Sequence, residues 1–113
     1  VTCMDARFHP TSAFALGLGR THIVRNAGGS AEDALRSIII SQQRLGTNEL
    51  VLIKHTGCGT MTFTDEDIGR DLGRKCDMSF RTLPAGRLEE EVRRDVEFLW
   101  MLRGILVGGW VYD

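Results

Sequence analysis

The sequence predicts an α/β fold: a mainly parallel central sheet of about four strands flanked by helices. Three observations lead there. Short apolar runs alternate with amphipathic helical stretches along the whole chain, from "VTCMD" to "ILVGGWVYD". Strands separated by helices are joined by crossovers, and that keeps them parallel. The motifs "CMDAR", "RNAGG" and "HTGCG" each follow a predicted strand, and ligands sit beyond the carboxyl ends of strands in such sheets.

Taken in order, "VTCMD" reads as a short strand that places Cys3, Asp5 and Arg7 on one face, since side chains two apart point the same way. A thiol, a carboxylate and a guanidinium in a row suit neither a core face nor an ordinary solvent face. "HPTSAFALGLG" has Pro10 near a helix start and glycines at its end, the pattern of a short helix or turn. The "GLG" within it lacks the third glycine of a dinucleotide fingerprint and precedes a strand instead of a helix. "THIVRNAGG" reads as a strand with Ile23 and Val24 in the core, running into a glycine turn. Ser30 caps the next helix and Asp33 completes its first turn; Ala31, Ala34, Leu35, Ile38 and Ile39 follow at helical spacing to Gly46. "ELVLIKHTGCG" is a buried strand that again empties into glycines. Thr64 opens a shorter helix through roughly Lys75, with Ile68 and Leu72 on one side. "GRLEEEVRRDVEFLWMLRG" is a second long helix whose Leu88, Val92, Val96 and Leu99 share a face, with Glu89 and Arg93 four apart. "ILVGGWVYD" is the last strand, and Phe98, Trp100 and Trp110 read as core or dimer contacts.

At 113 residues the chain makes one domain, 1–113, whose thin core invites help from a metal or a partner subunit. Fourteen basic residues against fifteen acidic ones leave a net charge of −1, with no electrostatic case for nucleic acid or a membrane surface. No apolar run approaches the roughly 20 residues of a membrane span. Cys3, Cys58 and Cys76 are odd in number and irregular in spacing, a poor disulfide framework that fits a reducing, cytoplasmic setting.

In "HTGC", His55 and Cys58 are three apart in a glycine-bearing turn. Imidazole and thiolate both suit zinc, and Cys3 leaves a strand expected to neighbour the one carrying His55. Two thiolates and one imidazole form the set of three protein ligands of a catalytic zinc with one open position. Asp5 either fills the fourth place directly or, held by Arg7, stands off the metal and accepts a proton. His9 reads as a loop histidine, His22 as structural, and Cys76 as a thiol outside the ligand set.

"CMDAR", "RNAGG" and "HTGCG" in this order resemble the β-class carbonic anhydrases, and the similarity extends into "GGWVYD". The resemblance implies zinc (Zn2+) on Cys3, His55 and Cys58, an Asp5–Arg7 catalytic dyad, and reversible hydration of CO2 to bicarbonate by a zinc-bound hydroxide. Gly28, Gly29, Gly57 and Gly59 would let the backbone approach the metal and substrate closely. Relatives on the same scaffold hydrolyse carbonyl sulfide or carbon disulfide, linear isosteres of CO2, which gives a second expectation. The third is a non-enzymatic zinc-stabilised module closed by Asp5. Family members usually carry a helical arm before the first strand, a longer link before the last strand and a hairpin after it. The reading is therefore a compact variant or an incomplete sequence, paired as a homodimer or higher homo-oligomer.

Overall fold

A computed structural model describes residues Val1–Asp113. Its strands are β1 (Thr2–Cys3), β2 (Arg25–Asn26), β3 (Glu49–His55) and β4 (Leu106–Tyr112), all parallel and in the order β2-β1-β3-β4. The helices are α1 (Pro10–Ala13), α2 (Ala31–Leu45), α3 (Asp65–Asp71) and α4 (Leu88–Leu99). The α/β architecture expected from the alternating pattern is therefore the one observed.

β3 is the spine of the sheet. Leu50, Leu52 and Lys54 are buried on its helix-facing side while Glu49 and Val51 are exposed, a period of two. Leu50 and Leu52 meet Ala31, Ala34 and Ile38 of α2 and Leu99 of α4 in one core cluster. Leu52 and Leu99 are wholly enclosed, and a leucine so placed is worth about 2–5 kcal/mol against alanine. α4 lies directly on β4: a β-carbon at Gly109 would come within 2.5 Å of Val92 and 2.8 Å of Val96. That glycine sets the helix–sheet distance.

The α2 signals work as read. The Ser30 hydroxyl accepts the Asp33 N–H, and Gly46 ends the helix at φ +78°. Leu35 is only half-buried and Ile39 is exposed, so the apolar stripe is narrower than the spacing implies.

Several expectations are corrected. β1 stops at Cys3, and Ala6–Arg7 form a turn, so Cys3, Asp5 and Arg7 do not share a strand face. β2 holds only Arg25 and Asn26; His22 and Ile23 lie in an exposed loop, Val24 reaches the core edge, and the His22 ring meets the Ser41 hydroxyl. α3 ends at Asp71, four residues early, ahead of Gly73 at φ +67°. It buries none of its residues, and Leu72 is exposed. Phe98 packs against the core, but Trp100 and Trp110 do not belong to it, being 69% and 56% exposed. Trp100 sits at the end of α4; Trp110 lies across Gly108 on the sheet face that no helix covers.

Two predictions follow from backbone and caps. Gly29 is at φ +64°, and a β-carbon there would lie 3.1 Å from Cys3 N and Thr2 C, whereas Gly46 faces open space. Gly46→Ala should cost only the left-handed conformation, about 1–2 kcal/mol; Gly29→Ala should cost clearly more in urea denaturation. Equal losses would show that the close approach carries no energy. At α3, the Thr64 N–H, then its hydroxyl, hold the Asp67 carboxyl below the ordinary aspartate range, with a smaller contribution from Arg70. A depressed carboxylate stabilises the fold above its unfolded pKa, and that contribution is lost as pH falls through the folded value. Carboxyl NMR titration should find Asp67 low and Thr64→Val moving it only partway up, because the backbone donor remains.

Candidate metal centre

The parallel register brings the carboxyl ends of β1 and β3 together, with Thr2 opposite Ile53. Cys3 ends β1, His55 ends β3, and Cys58 follows after a turn in which Gly57 takes φ +65°. All three are buried, and their ligand atoms lie within 4.8 Å of one another. The two sulfurs are 3.8 Å apart.

His55 is oriented for coordination. Its Nδ1 lies 2.8 Å from the Thr56 carbonyl, which can only accept, so Nδ1 carries the proton. Nε2 is left with its lone pair, buried and without a hydrogen-bond partner. An unpartnered buried nitrogen normally costs about 1–3 kcal/mol; one aimed at two thiols fits a metal ion. The chemistry of the sulfurs agrees. Burial pushes the Cys3 thiol up, and the neighbouring Cys58 adds to this, while the N–H groups of Asp5 and Gly28 pull it down. A divalent cation favours both thiolates at once.

Asp5 and Arg7 are joined by a turn, not by a shared strand face. The Asp5 carboxylate accepts the Arg7 backbone N–H at 2.9 Å and also the guanidinium, whose Nη2 reaches Oδ2 at 2.6 Å. The guanidinium beside it, then that backbone N–H, hold the Asp5 carboxyl well below the usual carboxylate range. Asp5 Oδ2 stands 3.7 Å from His55 Nε2, so the carboxylate borders the donor set. Arg7 Nη2 also donates to the Gly57 carbonyl at 2.6 Å, linking the loop after β1 to the loop that carries Cys58.

Asp5, Arg7, Phe8, His55, Thr56, Tyr112 and Asp113 line a pocket of about 190 Å³. The Phe8 ring stands edge-on to both His55 and Phe14, and Tyr112 closes against both phenylalanines, giving the pocket an apolar wall. A larger cavity of about 1090 Å³, lined by residues such as Phe14, Leu16, Ile23 and Leu45, includes none of the donor residues.

Gly28 and Gly29 are buried behind Cys3 and do not line the small pocket, while Gly59 is exposed beside Cys58. His9 is exposed ahead of α1, and Cys76 lies outside the donor set.

Sequence reasoning missed four supporting residues. Arg25 donates to the carbonyls of Cys3, Asp5 and Phe8 and lies over the Phe8 ring, holding the loop after β1 in place. Lys54, almost fully buried, pairs with Asp95 at 2.9 Å and donates to the carbonyls of Gly28 and Gly29. Asp95 also accepts the Ala31 N–H at the start of α2. The signal for this pair was a lysine inside an otherwise apolar strand, which demands a buried partner. The fourth residue, Thr60, lies 3.0 Å from Cys58 Sγ.

A parallel sheet that gathers a buried Cys–His–Cys set at its strand ends defines a candidate metal-dependent enzyme of the α/β class. The family model described as carbonic anhydrase matches residues 1–94, and the chain belongs to that family, in its β class. Beta-carbonic anhydrase 1 of Mycobacterium tuberculosis is 46% identical over 71 residues, covering 62% of this chain and 44% of that protein. Carbon disulfide hydrolase of an Acidianus species is 38% identical over 71 residues, covering 62% and 35% respectively. The crystal structure of carbonic anhydrase from Streptococcus mutans aligns with all of this chain and 73% of its own, at 42% identity and TM-score 0.88. The chain thus spans under half the length of the curated relatives it matches.

Proposed function

We propose that this chain hydrates CO2 reversibly to bicarbonate and a proton, using zinc held by Cys3 Sγ, His55 Nε2 and Cys58 Sγ. The observation that carries this reading is the unpartnered His55 Nε2, fixed by Thr56 and turned toward two buried thiols. Zinc bound there supplies a Lewis acid that brings the acidity of a water ligand towards neutral pH.

The chain's own residues do the rest. Arg7 keeps the Asp5 carboxylate ionised and turned to the donor set, where Oδ2 accepts a proton from the reacting water. Because Arg7 occupies both carboxylate oxygens, Asp5 has a partner other than the metal. This supports an open fourth position over a closed structural site. Phe8 and Tyr112 offer CO2 an apolar wall without a charged anchor, as a small uncharged molecule requires. Arg25 holds the loop that carries the dyad. Gly28 and Gly29 support Cys3 from behind, and Gly59 lets the turn beside Cys58 come close to substrate.

Carbon disulfide hydrolases among the relatives favour a second reading, hydrolysis of carbon disulfide or carbonyl sulfide at the same site. Selectivity between these linear molecules would rest on pocket width and lining. The bare sheet face bearing Val51, Leu106 and Trp110 supports pairing with a second copy.

Purified protein with its zinc quantified should acidify CO2 solutions in a pH-indicator assay. Hydrogen sulfide release from carbon disulfide, with no CO2 turnover, would transfer the assignment to the second reading. Full zinc occupancy with turnover of neither would sink both. Asp5→Asn should keep its zinc and lose about 100-fold or more in turnover; unchanged turnover would remove the proton-accepting role. Cys58→Ser should lose zinc and melt at lower temperature than the zinc-loaded parent, since metal binding is linked to folding. A zinc-replete, equally stable variant would strike Cys58 from the ligands.

A further inference from the structure

The two sulfurs of the donor set are supported by different means. Cys3 Sγ is met by main-chain N–H groups, those of Asp5 and Gly28. Cys58 Sγ is met by a side chain, the Thr60 hydroxyl at 3.0 Å. Thr60 is itself more than nine-tenths buried, in the single 3₁₀ turn Gly59–Met61.

That hydroxyl is confined. The Thr60 carbonyl accepts the Leu83 N–H at 3.0 Å, pinning the turn to the segment ahead of α4. On its other side stands Gly28, where a β-carbon would approach Oγ1 to 3.1 Å and Cγ2 to 3.5 Å. Cys58 Sγ is the hydrogen-bond partner that Oγ1 finds. A thiolate has no proton to give, so with metal bound the hydroxyl must be the donor.

We propose that Thr60 is a positioning residue for the metal: its O–H donates to Cys58 Sγ, aims the sulfur at the shared centre and moderates its electron donation to the ion. This rests on the reading of Cys3, His55 and Cys58 as the metal ligands. Gly28 takes part on both sides, offering its N–H to Cys3 Sγ and leaving room for the Thr60 side chain. The glycine turn after β2 thereby couples the two thiolates.

The test uses the whole chain loaded with zinc or with cobalt(II). Thr60→Val removes the donor and nearly keeps the shape. It should weaken zinc binding in chelator competition by about tenfold or more, as loss of a ligand's hydrogen-bond partner does. The thiolate-to-cobalt charge-transfer band should move to longer wavelength, because a sulfur lone pair without its donor lies higher in energy. Thr60→Ser should restore both readouts. Thr60→Ala, which needs no space beside Gly28, gives the same comparison independently of how valine packs. Wild-type affinity and an unmoved band in the alanine and valine variants would overturn the proposal, as would a serine variant that restores neither. A parent chain that takes up neither metal would overturn the ligand assignment and this inference with it. Parent uptake with unaltered variants would overturn this inference alone.

Discussion

Two sulfur atoms 3.8 Å apart, both buried, impose the constraint on which this end of the molecule depends. Neither can hold negative charge cheaply beside the other, and the elevated Cys3 thiol expresses that conflict. A cation at the shared centre removes it. Cys3 and Cys58 also form, with Leu83, a second apolar cluster against which Phe8, Met61 and Leu88 pack. The donor atoms are thus part of the core, and whatever binds them acts on packing as well as on chemistry.

β3 mediates between that cluster and the main core. Lys54 and His55 are consecutive and point to opposite faces. His55 turns to the donor set, while Lys54 reaches through the core side to Asp95 of α4 and to the carbonyls of Gly28 and Gly29. Asp95 in turn accepts the first N–H of α2. One buried ion pair therefore joins the spine strand, both long helices and the glycine turn behind Cys3. Its worth lies in arrangement more than in net energy, because desolvating two charges offsets much of their attraction.

Much of the fold was legible because its signals are local. Ser30, Asp33 and Gly46 mark the ends of α2, and the alternation of strand and helix fixes a parallel sheet. The convergence of Cys3, His55 and Cys58 was legible from strand-end logic once β1 and β3 were taken as neighbours. What stayed hidden depends on distant partners or on loop conformation. Asp5 and Arg7 meet through a turn, not a strand, because β2 offers only two residues for β1 to pair with. Thr60 has no motif of its own; its role exists only because Gly28, far off in sequence, leaves it one direction to point. Trp110 was misjudged as possible core because alternation along β4 does not say which sheet face lacks a helix.

The position of that indole has an optical consequence. Both tryptophans, Trp100 at the end of α4 and Trp110 over Gly108, are substantially wet. Their combined emission therefore starts near the red, water-relaxed limit, and anything that comes to cover the bare sheet face reports itself as a shift to the blue. The molecule carries its own fluorophore at the place where contact with another surface would matter most, and needs no label to reveal it.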